Sequence, residues 1–208
     1  MLRRARLDHL GPDRLPVPPG GGQTLTAFAD VLGSGQPHLV RVRHNEVTCW
    51  PNLGQGRFGA PRTLRLRLDP AITAANFDPA RVWLADLDGS GAADLLYLDH
   101  RTLYVHRNQC GNRFARAQTL SLPAALQYTD LHQVSVADLY GNGTSVLIIS
   151  RLHPQPAHWV CDFSRGLKPY LLAGLNDNMG AQTCLTYASS AHEWLDERRA
   201  DSQARCRL

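Results

Sequence analysis

The sequence has no run approaching the ~18 consecutive apolar residues that a membrane-spanning helix needs. Its basic start, MLRRARLDHLGPDRLPVPPGGG, is not followed by the apolar stretch of a secretory signal. It has no Cys-x-x-Cys pair: Cys49, Cys110, Cys161, Cys184 and Cys206 are odd in number and dispersed. That pattern argues for reduced thiols rather than a disulfide framework. Together these absences predict synthesis in a reducing cytoplasm, without a signal peptide and without membrane insertion by this chain. There is no GxSxG, HExxH, GxGxxG or P-loop pattern, so the common nucleophile, zinc and phosphate sites have no sequence support. Charge is scarce, at 19% of 208 residues, and 22 basic against 18 acidic residues leave +4. Arg far outnumbers Lys, yet the arginines gather at the ends (Arg3, Arg4, Arg6; Arg198, Arg199, Arg205, Arg207) or scatter between them. A nucleic-acid binder would align them in a stripe, so no nucleic acid is expected as a partner. Sustained helical periodicity is missing before Ala188.

What is present is a repeat. AFADVLGSGQPHLVRV from Ala27, LADLDGSGAADLLYL from Leu84 and VADLYGNGTSVLIIS from Val136 share A-D-[LV]-x-G-x-G followed by a short apolar run. The leading aspartates, Asp30, Asp86 and Asp138, lie 56 and 52 residues apart. A second motif keeps the first offset: in CWPNLGQGRFGAPRTL and VHRNQCGNRFARAQTL, Asn52, Phe58 and Leu64 each stand 56 residues before Asn108, Phe114 and Leu120. Two motifs on one period define a structural unit. Within the second unit, 81–85, 94–98, 102–107 and 118–122 are short, rich in Leu, Val, Tyr and Thr, and separated by Gly, Asn and Asp turns. Four short strands per ~50 residues is the pattern of a propeller blade, whose faces are covered by neighbouring blades. The reading is an all-β chain: a partial β-propeller of three four-stranded FG-GAP-like blades (24–68, 81–122, 133–172). A flexible lead-in over 1–23 precedes them, and a strand leaving the propeller opens an exit segment over 173–208. Propellers close with four to eight blades, so three predict an open edge and a larger parent.

The loop of the second unit, 86–94, resembles the calcium loop of FG-GAP blades. Asp86, Asp88, Ser90, the Ala92 carbonyl and Asp94 place oxygens at alternate positions of a glycine-rich turn, and Ca²⁺ takes six to eight such oxygens. Ser90 stands where an Asp or Asn is usual, which predicts weak binding. The first unit (Asp30, Leu32, Ser34, His38) and the third (Asp138, Tyr140, Asn142, Val146) lack the donors. The competing reading is that the leading Asp accepts backbone N–H bonds and fixes the turn, with no cofactor. Trp50, Phe58, Trp83, Tyr97, Tyr104 and Phe114 fall at strand or repeat-matched positions and are expected to pack between blades rather than form a carbohydrate platform. His153, His158, Cys161 and Asp162 match no common metal spacing. No acid, base and nucleophile set assembles, so no enzyme is expected.

The order A-D-L-x-G-x-G, then W-x-N-x-G-x-G-x-F, then KPYLLAGLNDNMGAQTCLTYASSAHEWLDE resembles the B subunit of bacterial ABC-type toxin complexes, the SpvB/TcB family. The exit segment carries the most specific part: Pro169-Tyr170-Leu171-Leu172, Asn178-x-Gly180-Ala181-x-Thr183, Tyr187-x-Ser189-Ser190 and Trp194-Leu195. The resemblance implies a non-catalytic scaffold that docks on a pore-forming A subunit. It implies gating of a shell formed with a C subunit, and secretion as part of that complex. Family members are far longer, so the chain is expected to be a fragment. The docking surface expected from the blades is their loop end, 33–36, 89–92 and 141–144. A different class of function is an FG-GAP lectin or adhesin-like module that uses calcium.

Overall fold

The computed structural model describes residues 23–165 and 168–205. Most of the expected lead-in, together with Cys206 and Arg207, lies outside them. The chain divides into two compact units, one holding residues up to 85 and 91–129, the other 86–90 and 130 onward.

The first unit contains two four-stranded antiparallel sheets. In the first sheet, β1 (Leu25–Ala29), β2 (His38–Arg43) and β3 (Glu46–Trp50) form a meander. A small hairpin of β4 (Asn52–Gly54) and β5 (Arg57–Phe58) then intervenes before β6 (Arg62–Arg65) pairs with β3. The turn between β2 and β3 is two residues long, and Asn45 takes the left-handed conformation it needs (φ 58°). In the second sheet, β7 (Val82–Ala85), β8 (Asp94–Leu98), β9 (Thr102–His106) and β10 (Gln118–Ser121) follow in order. Every strand of this sheet sits 56 residues beyond its counterpart. Even the β4–β5 pair Asn52↔Phe58 recurs as the bridge Asn108↔Phe114.

Alternation decides which side chains enter the core. Val40 and Val42 of β2, Val47 and Cys49 of β3, Leu64 of β6, and Leu95 and Tyr97 of β8 join one buried cluster with Phe77, Tyr104 and Phe114. Tyr97 is 2% exposed, stacks on Phe77 with centroids 5.7 Å apart, and accepts the Asp78 N–H at 3.1 Å. Of the six aromatics singled out in the sequence, Trp50, Tyr97, Tyr104 and Phe114 are buried, while Phe58 and Trp83 are half-buried. The connection 69–80 folds on its own polar groups: Asn76 accepts from the Thr73 N–H and donates to the Ala71 carbonyl. Asp78 then caps the short turn Pro79–Arg81 that leads into β7.

In the second unit, β11 (Gln133–Ala137), β12 (Val146–Arg151) and β13 (Ala157–Cys161) form a meander. This third sheet has three strands among the described residues rather than four. After β13 the Asp162 carboxylate takes the Ser164 N–H and hydroxyl and turns the chain. The exit segment forms more than a strand: a hairpin of β14 (Gly174–Asn176) and β15 (Gln182–Cys184), then the helix α1 (Ser190–Arg205). Ser189 caps the helix, its hydroxyl accepting the Ala191 N–H at 3.3 Å. No helix of the described residues is long and apolar enough to cross a membrane.

Candidate functional site

Each repeated loop is organised around its leading aspartate. In the first, Asp30 Oδ1 accepts the N–H groups of Leu32 and Ser34 at 3.2 and 3.1 Å, and Oδ2 accepts that of Gly35. In the second, Asp86 Oδ1 accepts from Asp88, Gly89 and Ser90 at 3.3, 2.8 and 3.1 Å. In the third, Asp138 accepts from Asn142 and Gly143 at 3.1 and 2.8 Å. Both glycines of each loop have positive φ: Gly33 and Gly35, Gly89 and Gly91, Gly141 and Gly143. A side chain is strained in that region, so the spacing G-x-G is what lets successive N–H groups turn toward one carboxylate.

The first two aspartates also offer their main-chain carbonyls to the next repeat. Ala93 N–H donates to the Asp30 carbonyl at 2.7 Å, and Ser145 N–H to the Asp86 carbonyl at 2.8 Å. Both donors stand seven residues after their own loop's aspartate. At the first junction the Asn108 carboxamide adds a clamp, Nδ2 donating to the Val31 and Ala93 carbonyls at 2.8 and 2.9 Å. Asn108 is held by Asp94, whose Oδ1 accepts the Asn108 N–H at 2.6 Å while Oδ2 pairs with Arg107 at 2.7 Å. In the first repeat His38 replaces this aspartate: its Nδ1 accepts the Asn52 N–H at 3.0 Å and its Nε2 faces Ser34 Oγ at 2.9 Å. A ring nitrogen that accepts from an amide is unprotonated, so the proton sits on Nε2.

Three of the five residues read as a calcium set are engaged as follows. The Asp94 side chain is wholly buried and committed to a guanidinium and an amide. Asp86 serves three amides, and Asp88 Oδ1 accepts the Ser90 N–H at 3.0 Å. Carboxylates so placed satisfy N–H donors, and a cation beside Asp94 would meet the Arg107 charge. Among the described residues no group of three His, Cys, Asp or Glu is placed to hold a metal. His158 of the His/Cys/Asp cluster instead bonds Ser150 at 2.8 Å.

Other titratable groups serve the frame. Burial pushes the Cys49 thiol up to about 11, which keeps it protonated and unreactive. His106 is wholly buried, with Nδ1–H donating to the Ala115 carbonyl at 3.0 Å and Nε2 left without a partner. Its pKa falls below the ordinary value because burial disfavours the charged ring. Arg41 holds Glu46 below the usual carboxylate range through a 2.6 Å bond. Within the second unit a groove of about 810 Å³ runs between the third loop and the exit segment, lined by Tyr140, Lys168, Leu171, Tyr187 and His192. The sequence motifs marked the loop aspartates. They did not reveal the two inter-repeat bonds, because those use main-chain atoms that leave no residue signature.

Comparison with known proteins gives one family and a set of solved structures. The family described as insecticide toxin TcdB middle/N-terminal region matches residues 108–208. A crystal structure of TcdB2-TccC3 without its hypervariable C-terminal region is 48% identical over 91% of this chain, with a TM-score of 0.80. A Photorhabdus luminescens Tc holotoxin pore structure matches at 48% identity over 91% of the chain, with a TM-score of 0.81. A TcdB2-TccC3-Cdc42 crystal structure gives the same identity and coverage, also at 0.81. The chain spans 9% of the length of each of these relatives. No curated protein matches it.

Proposed function

Because the chain belongs to the TcdB family, the B subunits of insecticidal toxin complexes, we propose that it acts as a non-catalytic propeller scaffold in such a complex, docking on the pore-forming A subunit and gating the shell built with the C subunit. The observation that carries this is the 48% identity maintained over 91% of the chain, blades and exit segment together. The relatives' own descriptions name TccC3 and a holotoxin pore, which supports partners of those two kinds. The loop architecture supports a frame rather than a reaction centre: its carboxylates are occupied in fixing turns, and its buried thiol is held protonated. The loop ends 33–36, 89–92 and 141–144 supply the docking face in this reading, with Gly35, Ser90, Gly91 and Gly143 among their exposed residues. Secretion then follows from assembly into the toxin.

The test uses a full-length B subunit that carries this segment. Ser34→Arg and Ser90→Arg, placed on exposed loop positions, should weaken binding to the A-subunit pore at least tenfold by biolayer interferometry while leaving assembly with the C subunit intact. Unchanged affinity for the pore in both variants would remove the loop ends from the docking face. Absence of any binding to either subunit would refute the scaffold reading.

A further inference from the structure

Arginines that are scattered in the sequence meet at one cleft of the first unit. From Thr63 onward the chain alternates: Leu64, Leu66 and Leu68 are 1, 6 and 5% exposed, while Arg65 and Arg67 are exposed. Phe114, itself 5% exposed, packs in from the second sheet, its N–H donating to the Arg65 carbonyl at 2.8 Å. The parallel bridge between Arg65 and Arg113 sets a third exposed arginine beside the first two. The result is a cleft of about 420 Å³ with Leu64, Leu66 and Phe114 at its base and Arg65 and Arg67 along its rim. The nearby carboxylates are turned elsewhere. Glu46, directly opposite Arg65 in the strand register, pairs with Arg41 at 2.6 Å, and Asp69 accepts the Ala71 N–H at 3.0 Å. Among the described residues neither Arg65 nor Arg67 has an ion-pair partner. Nor does the repeat require them: 56 residues on, blade two holds Ser121 and Pro123 at the equivalent positions.

We infer that this cleft docks a segment of a partner protein that carries an acidic residue on each side of an apolar one. Two guanidiniums two positions apart offer paired N–H donors that match carboxylates bidentately. The leucine and phenylalanine base between them takes an apolar side chain out of water. Because these apolar groups are recessed, they receive a side chain rather than insert into a bilayer, where an apolar face must protrude. A nucleic-acid backbone would neutralise the arginines and leave the base uncovered. Only a segment that is both acidic and apolar satisfies rim and base together. The cleft uses β6, the edge strand of the first sheet, rather than the loop ends, so this inference is independent of the docking face proposed above.

The probe is a fluorescein-labelled peptide, Glu-Leu-Glu-Leu-Glu, titrated with a full-length B subunit that carries this segment and read by fluorescence anisotropy. Saturable binding is expected, and it should weaken with added salt, which screens exposed charges. Gln-Leu-Gln-Leu-Gln and Glu-Ser-Glu-Ser-Glu keep only the apolar or only the acidic half, and each should bind roughly tenfold more weakly. The double variant Arg65→Ser/Arg67→Gln should lose roughly tenfold or more in affinity for the first peptide. Both positions are exposed, and blade two already holds Ser at the first of them, so the fold tolerates the change. As a second variant, Arg65→Glu/Arg67→Glu should switch the preference to Lys-Leu-Lys-Leu-Lys. No binding by the natural subunit, equal binding of Glu-Ser-Glu-Ser-Glu, or affinity unchanged in Arg65→Ser/Arg67→Gln overturns the inference. So does pelleting with phosphatidylserine vesicles that depends on Arg65 and Arg67 and occurs in place of peptide binding.

Discussion

Asn52 and Asn108 occupy the same register position, yet their surroundings give them different weight. Asn108 is buried and holds two carbonyls and the Gly111 N–H, whereas the Asn52 carboxamide holds the exposed Pro37 carbonyl and the Gly54 N–H. Removing a carboxamide strands its partners only where water cannot replace it. Asn108→Ala should cost about 2–3 kcal/mol and Asn52→Ala about 1 kcal/mol or less in chemical denaturation; equal costs would contradict the clamp. His106 gives a pH dependence. Its folded pKa lies below the ordinary value near 6.5, so the unfolded chain binds a proton that the folded chain resists. The stability this contributes is complete above about 6.5 and is lost as the pH falls through that value toward the folded pKa. Melting temperature should therefore drop between pH 7.5 and 5, and His106→Phe should flatten that slope; an unchanged slope would assign it to other groups. Calcium is decided by calorimetry on the natural chain and on Asp88→Ala. With Asp94 tied to Arg107, no heat of binding is expected at millimolar calcium, and a saturable heat abolished by Asp88→Ala would restore the FG-GAP reading.

At the scale of elements, the strands were legible because each blade repeats its pattern. The 56-residue offset read from Asn52/Asn108 and Phe58/Phe114 reappears as identical cross-strand pairing, and the alternation in HLVRVR and DLLYL locates β2 and β8. The exit segment was less legible. Its hairpin is three residues per strand and wholly exposed, too short for alternation to register. Its helix presents no apolar stripe, with described side chains that are almost all exposed, so periodicity gave no start signal beyond the Ser189-Ser190 cap. What ties that helix start down is a side chain on main chain: the Ser189 hydroxyl donates to the Gly141 carbonyl at 2.7 Å. A Cβ on Gly141, already at φ 64°, would lie 2.9 Å from the Ala191 Cβ. Gly141→Ala should therefore cost about 1–2 kcal/mol through backbone strain and also release the helix start. Hydrogen exchange at 190–194 should rise in that variant, and unaltered protection there would show that the helix is held elsewhere.

For the molecule as a whole, the decisive quantity is how much apolar surface the chain leaves to water. Phe28, Leu53, Leu131, Leu139, Val160, Met179 and Trp194 are all more than 40% exposed. β13 pairs only with β12 among the described residues, and a bare strand edge invites pairing with another chain. Beside it, Val146, Leu147, Ile148 and Ile149 make β12 an apolar, β-prone run of the kind that aggregates once exposed. Relatives in which this segment is 9% of the chain have the further polypeptide with which to cover such surfaces. The isolated chain should accordingly melt broadly and at low temperature, with dimers or aggregates visible in light scattering at tens of micromolar. Extending it in cis with a further repeat should sharpen and raise the melt, because the exposed face of β11–β13 then gains a partner. A sharply cooperative monomer that gains nothing from the extension would show that three repeats suffice.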